Sequence, residues 1–163
     1  MEIRKILVPV DGSPLAETAV DHAIDLALKP GAGIVLLRAA EAQLGFPPAD
    51  PVEAQVSAVR DAEEYLVRLA ERVRRAGVDS VETSVWYGAP ATAIVEAAAF
   101  QRPDLIVMTT HGRSGIGRII MGSVAESVLR STTTPILLLR AGNAPVEVPR
   151  GGEAKLTLEP ARH

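Results

Sequence analysis

Short apolar runs alternate along the chain with longer segments in which apolar residues recur at helical spacing. Four runs, at residues 3–11, 33–39, 103–110 and 134–140, are rich in Val, Ile and Leu, as buried parallel strands are. A fifth run, at 80–87, alternates apolar and polar residues, and helical patterns cover 14–29, 52–76, 91–101 and 123–132. Because strands and helices alternate, the sequence predicts an α/β fold, a single doubly wound, five-stranded parallel sheet with helices on both faces.

Residues at the ends of two predicted helices are typical of helix caps. Ser13 precedes Pro14, so we expect Ser13 to be the N-cap of the first helix and Pro14 its first residue. Gly77 follows the second helical pattern and is expected to end that helix.

The alternating pattern ends near residue 140, which divides the chain into two parts. Residues 1–140 are predicted to form one domain, which suits a chain of 163 residues. Residues 141–163 are dominated by Pro, Gly and charged residues. This tail is expected either to be disordered or to form a hairpin that turns at 149–152 and docks on the domain or on a partner subunit.

Composition excludes several classes of protein. A net charge of −3 argues against a dedicated nucleic-acid surface, and no apolar run reaches the roughly 18 residues that span a bilayer. Pro9 and Asp11 interrupt the first apolar run before it is long enough for a signal peptide, so a cytoplasmic location is expected. With no cysteine, and with His22 and His163 lacking partners at ligand spacing, we expect no metal site made of protein side chains.

A glycine-rich loop connects the fourth predicted strand to the fourth helix. Gly112, Gly115 and Gly117 allow backbone N–H groups to turn toward a bound group without obstruction by a Cβ atom. Gly122 and Ser123 begin the helix, whose free N–H groups and dipole favour a phosphate. The loop therefore has the chemistry of an anion site.

Each polar residue near this loop has a second interpretation. Arg113 and Arg118 could neutralise a phosphate or could be solvated, and His111 could donate to a phosphate or hold the loop. Ser123 and Glu126 match the capping-box pattern S-x-x-E, which would satisfy the helix N-terminus without a ligand.

Asp11 ends the first predicted strand. Ligands of open α/β sheets bind beyond the carboxyl ends of the strands, where the strand order reverses, and we expect the first strand at the centre with the fourth beside it. At that position Asp11 could accept a hydrogen bond from an adenine amino group or a ribose, or it could cap the turn at 12–14. Residue chemistry leaves both roles open.

Three separated motifs resemble the universal stress protein family over residues 3–140. They are ILVPVDGSP at the start, Gly112 followed after nine residues by Gly122-Ser123, and TPILLLR at the end. Neither G-x-x-x-x-G-K-[ST] nor G-x-G-x-x-G is present. The ATP-binding branch of the family carries G-x2-G-x9-G-[ST], and Thr109 stands here at the position of its first glycine.

The resemblance implies a Rossmann-like, adenine nucleotide alpha hydrolase-like fold that binds ATP, with any Mg²⁺ carried on the phosphates. Adenine or ribose would lie near the end of the first strand, the base beside the end of the second, the sugar along the fourth, and the phosphates at the glycine-rich loop and helix N-terminus. The implied residues are Pro9, Val10 and Asp11 at the end of the first strand, Ala39 at the end of the second, and Met108 and Thr109 in the fourth. The residues implied at the phosphates are Gly112, Arg113, Gly122, Ser123 and Val124.

The resemblance also implies a role, a nucleotide-dependent sensor or adaptor of the stress response. A homodimer through the fifth strand, residues 135–140, would cover an apolar sheet edge. Two alternatives are a ligand-free dimerisation module, in which Thr109 blocks the site, and a slow ATPase. No catalytic residue is assigned, because no pair of residues in the loop makes a convincing base and nucleophile. The nearest candidate is His111 with Ser114 or Ser123.

Overall fold

The structure is a computed structural model that describes residues 2–41, 50–110 and 122–140. The strands within these ranges are β1 (Lys5–Pro9), β2 (Gly33–Ala40), β3 (Val81–Tyr87), β4 (Leu105–Thr109) and β5 (Ile136–Leu139). The helices are α1 (Pro14–Leu28), α2 (Pro51–Arg75), α3 (Pro90–Gln101) and α4 (Ser123–Ser131). All nine predicted elements are confirmed, with strands β1, β4 and β5 shorter than the apolar runs that predicted them.

The five strands form one parallel sheet in the order β3-β2-β1-β4-β5. Strand β1 lies at the centre, where Leu7 is in register with Val35 of β2 and with Ile106 of β4. The chain moves outward from β1 through β2 to β3 and then returns to place β4 on the other side of β1. The order therefore reverses between β1 and β4, and the predicted doubly wound fold is confirmed.

Two layers of apolar side chains hold the helices on the sheet. Ile6 and Val8 of β1 face the helices α1 and α2, whereas Leu7 faces α3 and α4, and all three are fully buried. Leu66 and Val73 of α2 are also fully buried. Aliphatic residues fill both layers, which accounts for a chain that is 47% hydrophobic but only 3% aromatic.

The predicted caps of α1 and α2 are confirmed. The Ser13 hydroxyl accepts a hydrogen bond from the amide of Ala16 at 3.1 Å, and Pro14 is the first residue of α1. Gly77 follows the end of α2 with φ of 102°, a left-handed conformation that a glycine adopts at little cost. These contacts fix where the chain leaves β1 and where it returns toward β3.

The described ranges contain neither a membrane-spanning helix nor a cluster of metal-ligand side chains. No helix there has both the length and the apolar composition required to cross a membrane. Residues 2–41, 50–110 and 122–140 hold no group of three or more His, Cys, Asp or Glu side chains placed to bind a metal ion. The predictions for the tail, residues 141–163, lie outside the described residues.

Candidate functional site

A cavity of about 840 Å³ opens at the carboxyl ends of the central strands. Its floor is formed by the ends of β1, β2 and β4, and its walls come from the first half of α2 and the beginnings of α3 and α4. It therefore lies at the point where the strand order reverses, the usual position of a ligand in an open α/β sheet.

Most of the residues predicted for the site line this cavity. The sequence singled out eleven, and nine of them are both described and in the cavity wall: Pro9, Val10, Asp11, Ala39, Met108, Thr109, Gly122, Ser123 and Val124. Gly112 and Arg113 lie outside the described residues, as do His111 and Arg118. Residues from three strands and one helix are thus brought to one place.

The turn after β1 is held by the carboxylate of Asp11. Its Oδ1 accepts from the Ser13 amide at 2.9 Å and from the Ser13 hydroxyl at 2.6 Å. Gly12, between them, has φ of +83° and provides the left-handed residue that the turn requires. Asp11 therefore does cap the turn, and because it also lines the cavity the same carboxylate remains within reach of a ligand.

The N-terminus of α4 is open toward the cavity. Gly122 is the N-cap residue, and no side chain within residues 2–41, 50–110 and 122–140 forms a capping hydrogen bond there. The first intrahelical bond joins the Glu126 amide to the Gly122 carbonyl at 3.0 Å. The amides of Ser123, Val124 and Ala125 precede it, and all three residues line the cavity. Three backbone donors and the positive end of the helix dipole thus meet at one wall.

The predicted capping box of Ser123 and Glu126 is wrong. Ser123 is the first residue of the helix rather than its N-cap, so the pattern is displaced by one position. The Glu126 carboxylate instead accepts from Arg130, one turn later, at 2.9 Å from Nη2 to Oε1. The capping box was the ligand-free explanation for this helix end, and it does not apply.

The ends of the glycine-rich loop are tied together on the cavity side. The Gly122 amide donates to the carbonyl of Thr110 at 2.7 Å, which joins the end of β4 to the beginning of α4. Thr109 precedes this contact, is 9% exposed and lines the cavity. Its branched side chain therefore occupies space beside a bound ligand that a glycine would leave empty.

The long helix α2 forms a wall that the sequence reasoning missed. Ala54, Ser57, Ala58 and Asp61 line the cavity at spacings of three and four residues, so they form one face of the helix. The small side chains at the first three positions leave room beside the strand ends. The signal in the sequence was the repeat of small residues on one helical face, but nothing indicated that this face would lie over β2.

A smaller polar cleft of about 360 Å³ adjoins the main cavity and shares Asp11, Arg38 and Asp61 with it. Tyr65, which lines this cleft, belongs to a network of hydrogen bonds between α1 and α2. The Tyr65 hydroxyl donates to Glu17 at 3.1 Å, and Arg72 donates to the other oxygen of Glu17 at 2.7 Å. Burial raises the pKa of Tyr65, and the negative charge of Glu17 and its hydrogen bond raise it further, so the phenol stays protonated.

The chain is similar to proteins of one known family. Residues 2–140 match the model of a family described as the universal stress protein family. A universal stress protein of Methanocaldococcus jannaschii is 32% identical over 140 residues, which cover 84% of this chain and 82% of that protein.

Solved structures give the same result. Universal stress protein UspA from Lactobacillus plantarum is 26% identical, with a TM-score of 0.75 over 86% of this chain and 99% of its own. A universal stress protein in complex with cAMP is 26% identical, with a TM-score of 0.67 over 85% of this chain and 98% of its own. The family match extends over the whole described domain, and the chain belongs to the universal stress protein family.

Proposed function

We propose that the chain binds ATP in the main cavity and acts as a nucleotide-dependent sensor or adaptor of the stress response. The observation that carries the proposal is the open N-terminus of α4. Ser123, Val124 and Ala125 line a cavity at the switch point of the sheet, and no side chain of the described part of the chain caps their amides. Such an arrangement of N–H groups and helix dipole favours phosphate.

The size and lining of the cavity support a nucleotide. A volume of about 840 Å³ falls within the roughly 300–1,000 Å³ that is common for small-molecule sites. Away from the N-terminus of α4 the wall includes the apolar residues Val10, Ala39, Ala58 and Met108, which suit a purine and its sugar. The relative solved with cAMP contains an adenine nucleotide, which favours adenine as the base.

The remaining parts of the proposal follow from the phosphates. Any Mg²⁺ is carried on the phosphate oxygens, and the protein is cytoplasmic, where ATP is available. No catalytic residue is proposed, so turnover is slow or absent. Thr109, buried in the cavity wall, is the observation that favours the second candidate, a module of the same fold that binds no ligand.

The proposal includes a homodimer through β5. This strand is an edge of the sheet, because it pairs with β4 on one side only among the described strands. Leu137 in its middle is 36% exposed. A second copy would bury this apolar edge. We expect the wild type to sediment as a dimer and Leu137→Asp as a monomer, and a monomeric wild type would contradict this part.

Substitutions at the first residue of α4 test the phosphate site. The helices α1, α2 and α3 already begin with Pro14, Pro51 and Pro90, so a proline is tolerated at this position. Ser123→Pro removes one backbone donor and keeps the helix, whereas Ser123→Ala removes only the hydroxyl. We expect Ser123→Pro to weaken Mg-ATP binding about tenfold or more in calorimetry, since a hydrogen bond to a charged group is lost.

The control for this experiment is the melting temperature of each variant without nucleotide. We expect both variants to melt close to the wild type. If Ser123→Pro folds normally and binds Mg-ATP as tightly as the wild type, the phosphates are not at α4. If the wild type itself binds no nucleotide, the ligand-free module becomes the better account.

A further inference from the structure

Arg38 occupies an unusual position at the end of β2. It follows Ile34 and Leu36 on the face of the strand that packs against α1 and α2, and those two residues are fully buried. An arginine thus replaces the next apolar residue in the series where the strand reaches the cavity.

The guanidinium of Arg38 packs beside a ring and a backbone turn. Its Cζ atom lies 4.7 Å from the centroid of the Tyr65 ring. Gly12 is also close, because a Cβ atom placed on it would lie 3.6 Å from the Nη1 and Nη2 atoms of Arg38. These two neighbours restrict where the planar guanidinium can lie.

No described residue accepts a hydrogen bond from the N–H groups of Arg38, which leaves them to a ligand as far as the described part of the chain extends. Arg38 lines both the main cavity and the smaller cleft, and it accordingly lies in the wall between them. Across residues 2–41, 50–110 and 122–140 its only partner is the Tyr65 ring, with no hydrogen bond or ion pair. A restricted set of donors at a cavity wall costs less ordering entropy when an acceptor binds.

The topology decides which part of a nucleotide reaches Arg38. The strand order places β1 between β2 and β4, and neighbouring strands are about 4.8 Å apart, so Arg38 lies about 10 Å from the end of β4. The open N-terminus of α4, with its phosphate-binding amides, lies on the β4 side. A nucleotide with its phosphates at α4 therefore directs its base, the opposite end, toward β2.

We propose that Arg38 is a specificity-determining residue that donates a hydrogen bond to a ring nitrogen of the purine. The inference rests on the proposed function, because it assumes that the cavity holds ATP with its phosphates at α4. A purine ring carries acceptor nitrogens at its edge, and a guanidinium is a donor that is never deprotonated in proteins. The contact selects a base with an acceptor nitrogen at that position over a base that presents a donor there.

A cycle that combines a protein change with a ligand change tests the contact. The protein change is Arg38→Met, which keeps the length of the side chain and can still pack on Tyr65. The ligand changes are 1-deaza-, 3-deaza- and 7-deaza-ATP, each of which lacks one acceptor nitrogen. For each analogue, calorimetry measures the affinities of the wild type and of Arg38→Met for ATP and for that analogue. We expect Arg38→Met to weaken ATP binding about tenfold or more. For the one analogue that lacks the contacted nitrogen, we expect the wild type and Arg38→Met to bind with the same affinity.

Arg68→Met is the matched control, because Arg68 lines the smaller cleft but not the main cavity. It should bind ATP as the wild type does. A purely structural role of Arg38 would weaken ATP and all three analogues by the same factor, and that result overturns the proposal. Coupling to 2′-deoxy-ATP instead of a deaza analogue would place the contact on the ribose and would also overturn it.

These outcomes separate the two proposals. If the wild type binds ATP but shows no coupling with any nitrogen, the inference about Arg38 fails and the proposed function stands. If the wild type does not bind ATP, as judged by the same calorimetry, both fail together.

Discussion

The two roles of Asp11 can be separated by a pair of substitutions. Asp11→Ala removes the acceptor of both hydrogen bonds in the turn, those from the Ser13 amide and the Ser13 hydroxyl. Asp11→Asn keeps an acceptor oxygen in the same place and removes the charge. The first variant therefore tests the turn, and the second tests what the charge does in the cavity.

The cost of Asp11→Ala follows from these contacts. A net hydrogen bond contributes about 1 kcal/mol, and Asp11 is only partly buried, so the loss of both bonds lowers the free energy of unfolding by about 2 kcal/mol. That change raises the unfolding equilibrium constant roughly 30-fold. In Asp11→Asn both bonds persist without charge assistance, so we expect a loss of less than about 1 kcal/mol.

Urea unfolding followed by circular dichroism measures the stability of each variant, and calorimetry measures its affinity for Mg-ATP. We expect Asp11→Asn to weaken binding about tenfold while remaining close to the wild type in stability, because a carboxylate that accepts from the ligand is lost. Asp104→Ala is the control, since Asp104 accepts from the Arg4 and Lys5 amides and does not line the cavity. Surface substitutions usually change the free energy of unfolding by about 0.5 kcal/mol or less. If the free energy of unfolding of Asp11→Ala lies within that range of the wild type, Asp11 does not stabilise the turn as argued.

Three further predictions concern the fold. Leu66→Ala empties a fully buried position between α2 and the sheet and should cost about 2–5 kcal/mol in urea unfolding. Gly12→Ala places a Cβ atom on a residue with φ of +83° and should cost about 1–2 kcal/mol in the same assay. Hydrogen bonds from the Arg4 and Lys5 amides lower the pKa of Asp104, so its contribution is present above the unfolded pKa of about 3.9 and is lost as the pH falls through the folded pKa. The wild type should therefore exceed Asp104→Ala in stability at pH 6, and the difference should shrink in acid.

A specific result would contradict each of these three predictions. A Leu66→Ala variant as stable as the wild type would mean that α2 does not pack on the sheet as described. A Gly12→Ala variant as stable as the wild type would mean that residue 12 does not need a left-handed conformation. If the stability difference between the wild type and Asp104→Ala grows toward low pH, the pKa of Asp104 is raised by folding rather than lowered.

The elements and the position of the site could be predicted because both depend on local patterns. Apolar runs and helical spacing gave all nine elements, and Ser13 and Gly77 marked helix ends through side-chain and backbone chemistry that needs no partner. The parallel arrangement then brings the segments after β1 and β4 to one edge. The position of Asp11 and Ser123 in the same cavity wall follows from that topology.

Two features could not be read from the sequence. Ser123 and Glu126 match a capping box, but the helix begins one residue earlier than that pattern requires, and a local motif does not decide between two registers one residue apart. The contact between Arg38 and Tyr65 depends on how α2 is rotated over β2, which tertiary packing determines. Neither Arg38 nor Tyr65 has a local sequence pattern that distinguishes a residue in a ligand site from a solvated one.

The most direct test of the proposed site is the identity of whatever the purified protein carries. The protein is purified without added nucleotide and denatured, and released small molecules are identified by chromatography and mass spectrometry. The account predicts ATP, or an empty protein whose melting temperature rises with Mg-ATP in the wild type and much less in Ser123→Pro. A protein that releases no nucleotide and shows no shift with Mg-ATP would contradict it.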